Sequence, residues 1–418
     1  MQTSTTTSTS SSTQSPTPLR VINGFGNLIR KTGVKIAQLS VDQVLDSAAK
    51  KTNIKDTDLS NISGPLEILI DSLNKTDQLT LVGRVLTKQL LTDLVSNNIR
   101  IDAEIKANPE ILNEKINKPL FILGFPRTGT TLLHNLLAHP PRYRFPYMWE
   151  ALCPSIYPDT RKAHSPERIK NAKMLVKTLD YMSPSLKSIH TLYPEGPDEC
   201  LKLIENSLTT PHMPLYFHIP EYWDWFRSVD SNQLLDVYGY YKKQLQLLQW
   251  HGPKGSWVLK TPIHLYFVPE LLKTFPDAQI IQLHRDPNKA VASFCSLVAA
   301  CRRLYSDSVS LDDVGEYVID FLSRSAQRAM DTENESNSNQ FRHINYNDLI
   351  KSPEDEIAGI CSQFDYEYTD EVHNGISKWL TKNPKNKHGV HKYSLEQYGL
   401  SDEIVSSRLQ DYIGKYYR

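Results

Sequence analysis

A short segment with two glycines has the residue types and spacing of an anion-binding loop. It reads Gly124-Phe-Pro-Arg127-Thr-Gly129-Thr-Thr131 and lies between a continuous apolar run and a stripe of leucines at helical spacing. Successive backbone N–H groups in such a loop converge on an anion, and the N-terminus of the following helix adds partial positive charge. The spacing therefore predicts a phosphate-binding loop. The alternative is that Gly124 and Gly129 only turn the chain.

Position 130 distinguishes this loop from the nucleoside triphosphate loop of the form G-x-x-x-x-G-K-[ST], whose lysine reaches the β- and γ-phosphates. Thr130 stands where that lysine would be, and Arg127 lies inside the loop. A nucleoside triphosphate with Mg²⁺ is therefore a poor fit. A ligand with one 5′-phosphate and an attached anionic group fits well.

Two further cations, Arg285 and Lys260, each lie at or just beyond the end of an apolar run. An Asp-Pro pair after Arg285 is typical of a helix start, and Ser293 lies eight residues after Arg285. A guanidinium and a hydroxyl two helical turns apart can bind one phosphate together. The alternative pairs Arg285 with Asp286 and leaves Ser293 on the surface.

The elements that must position these residues alternate between strands and helices. Helical patterns such as 268–275 and 290–301 separate short apolar runs that are typical of strands buried on both faces. These runs are 119–124, 256–259, 278–283 and 341–346. The alternation predicts an α/β fold, in which a P-loop-containing core has a central parallel sheet flanked by helices. Gly124, Lys260 and Arg285 then lie beyond the carboxyl ends of strands, where open α/β sheets bind ligands.

Composition limits the class of protein. The 418 residues include 47 Lys+Arg and 47 Asp+Glu, so the net charge is zero, which argues against a general nucleic-acid binder. No stretch approaches the ~18 apolar residues of a transmembrane helix. Five scattered cysteines and an N-terminal segment without a basic or an apolar region predict reduced thiols, no secretory signal and a cytoplasmic location.

Two segments resemble the sulfotransferases that use 3′-phosphoadenosine 5′-phosphosulfate (PAPS). Residues 125–133 resemble their 5′-phosphosulfate loop, and 283–293 resemble their 3′-phosphate site, including its Arg-to-Ser spacing. The likeness is to the soluble branch related to bacterial sulfotransferases and, more distantly, to protein-tyrosine sulfotransferases. Further matches follow in the family's order over roughly 119–400: Trp149-Glu150, Pro197-Asp-Glu-Cys200, Gln249-Trp250, 257–262, 345–349 and His391-Lys-Tyr-Ser-Leu-Glu396.

The resemblance implies that PAPS is the cosubstrate. Together with the composition and the helical periodicity of the N-terminal part, it predicts a chain of three parts. These are a disordered Ser/Thr-rich tail (1–20), a helical flank (21–116) and a sulfotransferase domain (117–418). The loop would hold the 5′-phosphosulfate, Arg285 and Ser293 the 3′-phosphate, and Tyr346 would lie near the adenine. The loop residues that the resemblance assigns to the donor are Arg127, Thr128, Gly129, Thr130 and Thr131.

Sulfuryl transfer needs a base for the acceptor's proton and cations at the leaving oxygen. Arg127 and Lys260 are the candidate cations, and the resemblance makes Glu150 the base. Glu199 is the second candidate base, although it can also be a capping acid for a helix that begins near Cys200. No metal is expected, because the transferring group carries less charge than a phosphoryl group.

The acceptor is expected to be small or lipid-like and not a nucleic acid. Aromatic residues in 218–226 can line an apolar funnel, although such spacing is more often that of a core. Two other functions remain open: a P-loop kinase or other NTPase, and a catalytically silent nucleotide-binding protein. The oligomeric state is not predicted.

Overall fold

The computed structural model describes residues 16–31, 38–55, 57–138, 143–162, 164–189, 192–383 and 393–417. Most of the predicted tail, and His391 and Lys392 of the last matching motif, therefore lie outside the described residues. A helix begins at Thr17, so the boundary predicted at residue 20 falls inside that helix. The tail prediction was wrong for these few residues because apolar side chains at helical spacing start at Leu19.

The centre of the fold is a parallel sheet of the order β2-β3-β1-β4-β5. Its strands are β1 Leu120–Gly124, β2 Tyr143–Arg144, β3 Ser256–Lys260, β4 Gln279–His284 and β5 Phe341–Asn345. Four of these strands were predicted from their apolar runs. Strand β2 was missed, because two residues are too short for a hydrophobic pattern.

Helices surround the sheet and account for most of the described chain. They are α1 Thr17–Lys31, α2 Val41–Thr52, α3 Ser60–Thr76, α4 Leu81–Ala107, α5 Thr130–Leu137, α6 Met148–Ala151, α7 Pro166–Met182, α8 Pro184–Ile189, α9 Leu201–Glu205, α10 Met213–Tyr216, α11 Pro220–Ser228, α12 Ser231–His251, α13 Val268–Thr274, α14 Pro287–Arg302, α15 Leu311–Glu335, α16 Tyr346–Lys351, α17 Pro353–Phe364, α18 Asp370–Lys382, α19 Asp402–Arg408 and α20 Gln410–Tyr416. No helix in the described ranges is long and apolar enough to cross a bilayer.

Alternation along β1 creates the two apolar layers. Phe121 and Leu123 pack into a core with α12, α13, α14 and α15. Leu120 and Ile122 pack into a second core with α5, α17 and α18. All five residues of β1 are buried, which is why its sequence is continuously apolar. The predicted α/β architecture is confirmed.

The helical flank predicted before β1 contains α2, α3 and α4. The polar sequence 333–340 is not a single loop, because α15 continues to Glu335 and a 3₁₀ turn covers Ser338–Gln340. Ala329 and Met330 extend the buried face of α15 almost to that point. Packing of this face therefore carries the helix into a polar sequence.

Candidate active site

The loop between β1 and α5 has an unusual backbone that places it close to its neighbours. Gly124, Arg127 and Gly129 have positive φ angles of 141°, 71° and 96°. A Cβ on Gly124 would lie 2.5 Å from the Leu283 carbonyl oxygen on β4, so only glycine fits there. Arg127 is strained at its angle, and Arg285 Nη1 supports it by donating to the Arg127 carbonyl oxygen at 2.7 Å.

Arg127 of this loop belongs to a group of residues that we call the arginine cluster: Arg127, Arg285, Ser293 and Tyr346. Arg127 Nε donates to Ser293 Oγ at 3.1 Å, and the Arg285 guanidinium lies 4.5 Å from the centre of the Tyr346 ring. Burial, with a smaller contribution from nearby Arg285, lowers the pKa of Arg127. Within the described ranges, neither arginine forms an ion pair with a carboxylate. Two neighbouring guanidinium groups in this state favour an anion between them.

Local sequence explains how α14 positions this cluster. Asp286 caps the helix by accepting from the Asn288 amide at 3.0 Å, and its other oxygen lies 3.3 Å from Lys289 Nζ. Asp286 is therefore not the partner of Arg285. Ser293 is 2% exposed. The alternative of an Arg–Asp pair with a surface serine is wrong.

Thr131, in the first turn of α5, belongs to a second group that we call the lysine cluster: Lys260, Glu199, Thr131 and Thr261. Lys260 Nζ lies 2.5 Å from Glu199 Oε1 and donates to Thr131 Oγ1 at 3.3 Å. Thr261 Oγ1 donates to Glu199 Oε2 at 3.2 Å. Glu199 does not cap a helix, since the N-cap of α9 is Cys200. The cluster therefore places a cation and a carboxylate together at the carboxyl edge of β3.

Glu150 belongs to a separate, buried ion pair with Arg144. Its Oε1 accepts from Arg144 Nη2 at 2.7 Å, its Oε2 accepts from the Tyr147 amide at 3.0 Å, and its side chain is 4% exposed. Both carboxylate oxygens are thus engaged with β2 and the start of α6. Among the described residues, Glu150 does not line the cavity that opens from the loop, whereas Glu199 of the lysine cluster does.

Two buried histidines near the lysine cluster are uncharged at neutral pH. Burial lowers the pKa values of His134 and His264 to about 3. His264 Nδ1 is hydrogen-bonded to the Tyr238 hydroxyl at 2.6 Å. Neither ring lines the cavity as the structure describes it, so neither is placed to accept an acceptor's proton.

A cavity of about 1200 Å³ opens from the loop into the helical part of the protein. Arg127, Thr131, Glu199 and Arg285 line its polar end. Its remaining wall is largely apolar and comes from α4, α7, α10 and α14. The leucines of these helices that line it are Leu86, Leu90, Leu175, Leu179, Leu215 and Leu297. The aromatic segment 218–226 does not line it, because Tyr222, Trp223 and Phe226 are buried in the core.

Sequence reasoning missed a polar group in the cavity wall. Glu205 is fully buried and accepts from Lys202 Nζ at 2.9 Å and from the Tyr216 hydroxyl at 3.0 Å. Burial alone would raise its pKa, but Lys202 and His212 hold it at about 2. Asp198, next to Glu199, also lines the cavity, and burial raises its pKa to about 6. The acidic run 195–199 was the one available signal for Asp198.

A parallel sheet with an anion-binding loop and cations at its carboxyl edge defines an α/β fold of the P-loop type. Residues 119–370 match the sulfotransferase family. This match covers more than half of the chain, so the protein belongs to the sulfotransferase family and is a sulfotransferase. The resemblance stated from the sequence is confirmed.

Named relatives agree with this assignment. The chain is 23% identical over 289 residues to the omega-hydroxy-beta-dihydromenaquinone-9 sulfotransferase Stf3 of Mycobacterium tuberculosis and of Mycobacterium bovis, covering 68% of this chain and 72% of each relative. Two solved structures are similar. STF1 from M. tuberculosis is 27% identical with a TM-score of 0.77, covering 89% of this chain and 99% of that one. STF9 from Mycobacterium avium is 25% identical with a TM-score of 0.81, covering 92% and 98%.

Proposed function

We propose that this sulfotransferase moves the sulfuryl group of PAPS to a hydroxyl of a lipid-like acceptor. The observation that carries the proposal is that the arginine and lysine clusters adjoin one loop. Residues of this loop line the polar end of a largely apolar cavity. All five cysteines are free, which supports a reducing, cytoplasmic setting.

The charges fit a donor with two separate anionic groups. The arginine cluster offers two guanidinium groups and a hydroxyl, which suits the dianionic 3′-phosphate. The loop, the start of α5 and Lys260 suit the 5′-phosphosulfate. Tyr346, which is in contact with Arg285, is available to the adenine. This assignment follows the resemblance for Arg285, Ser293 and Tyr346. It moves Arg127 from the 5′-phosphosulfate to the 3′-phosphate, because Arg127 Nε donates to Ser293 Oγ.

Transfer requires that one bond to sulfur breaks as another forms. The bridging phosphate oxygen keeps the electron pair of the breaking S–O bond, and Lys260 stabilises the charge that grows there. The acceptor oxygen bonds to sulfur and gives its proton to a base. We assign that base to Glu199 instead of Glu150, because Glu199 lines the cavity beside Lys260. The products are the sulfated acceptor and adenosine 3′,5′-bisphosphate.

Two observations support a lipid-like acceptor. Leucines from several helices line the cavity away from its polar end, which favours an apolar chain. The name of the relative Stf3 specifies a menaquinone derivative with an omega-hydroxyl. An aliphatic or isoprenoid alcohol is therefore the acceptor class that we propose.

The donor is tested by thermal unfolding with added nucleotides. Adenosine 3′,5′-bisphosphate should raise the unfolding midpoint, whereas ATP with Mg²⁺ should do so only weakly. Labelled PAPS is then offered with primary alcohols of increasing chain length, and kcat/KM should rise with length. Stronger stabilisation by ATP and Mg²⁺, with ATP turnover, would favour the kinase alternative. Equal kcat/KM for all lengths would contradict the lipid-like acceptor alone.

A further inference from the structure

Helix α1 presents its apolar side chains to solvent. Val21, Ile22, Phe25 and Leu28 are 67%, 48%, 62% and 60% exposed, and their spacing places them on one face. A surface helix ordinarily buries such a face. Here four large apolar side chains on one face are left uncovered in the described part of the chain, and contiguous exposed apolar patches often mark interaction sites.

Polar and small residues hold α1 on the protein. The Asn23 side-chain oxygen accepts from the Val82 amide at 3.3 Å, and a Cβ on Gly26 would lie 2.5 Å from Leu81 Cγ. Asn23 is 8% exposed. The helix is therefore seated on the start of α4 in an orientation that directs its apolar face outward.

The charge of α1 differs from that of the whole chain. The chain has zero net charge, but α1 contains Arg20, Arg30 and Lys31 and no acidic residue. A basic helix with an apolar face has the composition of helices that lie in the surface of anionic membranes. Charge complementarity therefore favours an anionic lipid surface.

The helix that carries α1 also forms part of the cavity. Leu86 and Leu90 of α4 line the cavity, and Val85, beside Leu86, is 70% exposed. Exposed apolar surface beside α1 and part of the apolar cavity wall thus lie on the same helix.

We propose that α1 docks this enzyme onto an anionic lipid surface from which its acceptor enters the cavity. The entry of the acceptor rests on the proposed function; the docking itself rests on α1. A second copy of the chain is less suitable as the occupant. A stable interface usually buries ~800 Å² per partner, which is more than a face of four side chains on one helix provides.

The test is co-sedimentation of the full chain with vesicles, without donor or acceptor. The vesicles are phosphatidylcholine alone or an equimolar mixture with phosphatidylglycerol. Binding should be several-fold stronger to the mixed vesicles and should weaken with salt. The double variant Phe25→Glu/Leu28→Glu should lower binding at least ~10-fold. Ile404→Glu, at a residue 41% exposed on α19, is the matched control and should bind like the unmodified chain.

A second variant keeps the apolar face intact. Arg20→Glu/Lys31→Glu should remove the preference for phosphatidylglycerol while circular dichroism and the unfolding midpoint stay unchanged. Undiminished binding by Phe25→Glu/Leu28→Glu would overturn the proposal. So would a dimer of the unmodified chain that this variant abolishes, because a second copy would then be the occupant.

The docking and the acceptor can fail separately. No vesicle binding, together with sulfation of a detergent-solubilised long-chain alcohol, would overturn the docking and leave the proposed function intact. Vesicle binding that depends on Phe25 and Leu28 would support the docking even if no lipid alcohol were sulfated, and that result would overturn only the acceptor class.

Discussion

The arginine and lysine clusters both include residues of the same loop or of the helix start that follows it, but they balance their charge differently. Arg127 and Arg285 form no ion pair with a carboxylate in the residues that the structure describes, whereas Lys260 lies 2.5 Å from Glu199. A site with uncompensated cations is suited to binding an anion. A site that already contains both charges can stabilise a leaving oxygen and accept a proton. We therefore propose that the arginine cluster binds the donor and that the lysine cluster carries out the chemistry.

The largest expected effect comes from the base. Glu199→Gln keeps the shape of the side chain but cannot take the acceptor's proton, so kcat should fall by ~10²–10⁴. Donor affinity should change only a few-fold. Steady-state kinetics with labelled PAPS measures both quantities.

Glu150→Gln is the matched control for that variant. It should keep kcat within a few-fold but destabilise the protein by about 3 kcal/mol, because Arg144 loses its buried partner. If Glu150→Gln loses kcat and Glu199→Gln does not, the ranking made from the sequence is restored.

The next effect concerns the arginine cluster. Arg285→Ala removes a charged contact and should weaken adenosine 3′,5′-bisphosphate by ~1.5–3 kcal/mol, which calorimetric titration can measure. Adenosine 5′-phosphosulfate, which lacks the 3′-phosphate, should bind almost unchanged. Lys289→Ala removes an exposed cation on the same helix and should alter neither affinity. Equal weakening of both ligands would make Arg285 structural.

A smaller effect is expected from a substitution in the cavity wall that the acceptor would contact. Leu179→Trp narrows the cavity and should lower kcat/KM for a long-chain alcohol ~10-fold, with little change for a short one. Val176→Trp, one turn earlier on α7 and not part of the cavity wall, should leave both values alone. Equal losses for both alcohols would show that the chain of the acceptor does not lie there.

The smallest effect concerns the acid beside Glu199. Burial raises the pKa of Asp198 from 3.8 to about 6, so the folded state holds its proton when the unfolded state has lost it. This residue's contribution to stability therefore falls as pH rises from about 4 to about 6, by roughly 1–3 kcal/mol. Asp198→Asn should remove that fall. Unchanged pH dependence of denaturant unfolding in the variant would contradict the assignment.

The convergence of Gly124, Lys260 and Arg285 at one edge of the sheet could be predicted from sequence, because these residues follow strands directly. Gly124, Lys260 and Arg285 lie at or beside strand ends, and parallel strands bring those ends to one edge. The sequence could not predict which of the two carboxylates lies beside Lys260. Glu150 pairs instead with Arg144, which lies on the two-residue strand β2. The cavity wall was also inaccessible to pattern analysis, because helices far apart in sequence contribute to it.

The separation of binding from chemistry is tested most directly by the double variant Arg285→Ala/Glu199→Gln. Donor affinity and the single-turnover rate at saturating donor are measured in the unmodified protein, both single variants and the double variant. The two sites should act independently. The double variant should then show the affinity of Arg285→Ala and the turnover rate of Glu199→Gln. Arg285→Ala alone should not lower the turnover rate as much as Glu199→Gln does. An equal loss would contradict the division of roles between the arginine and lysine clusters.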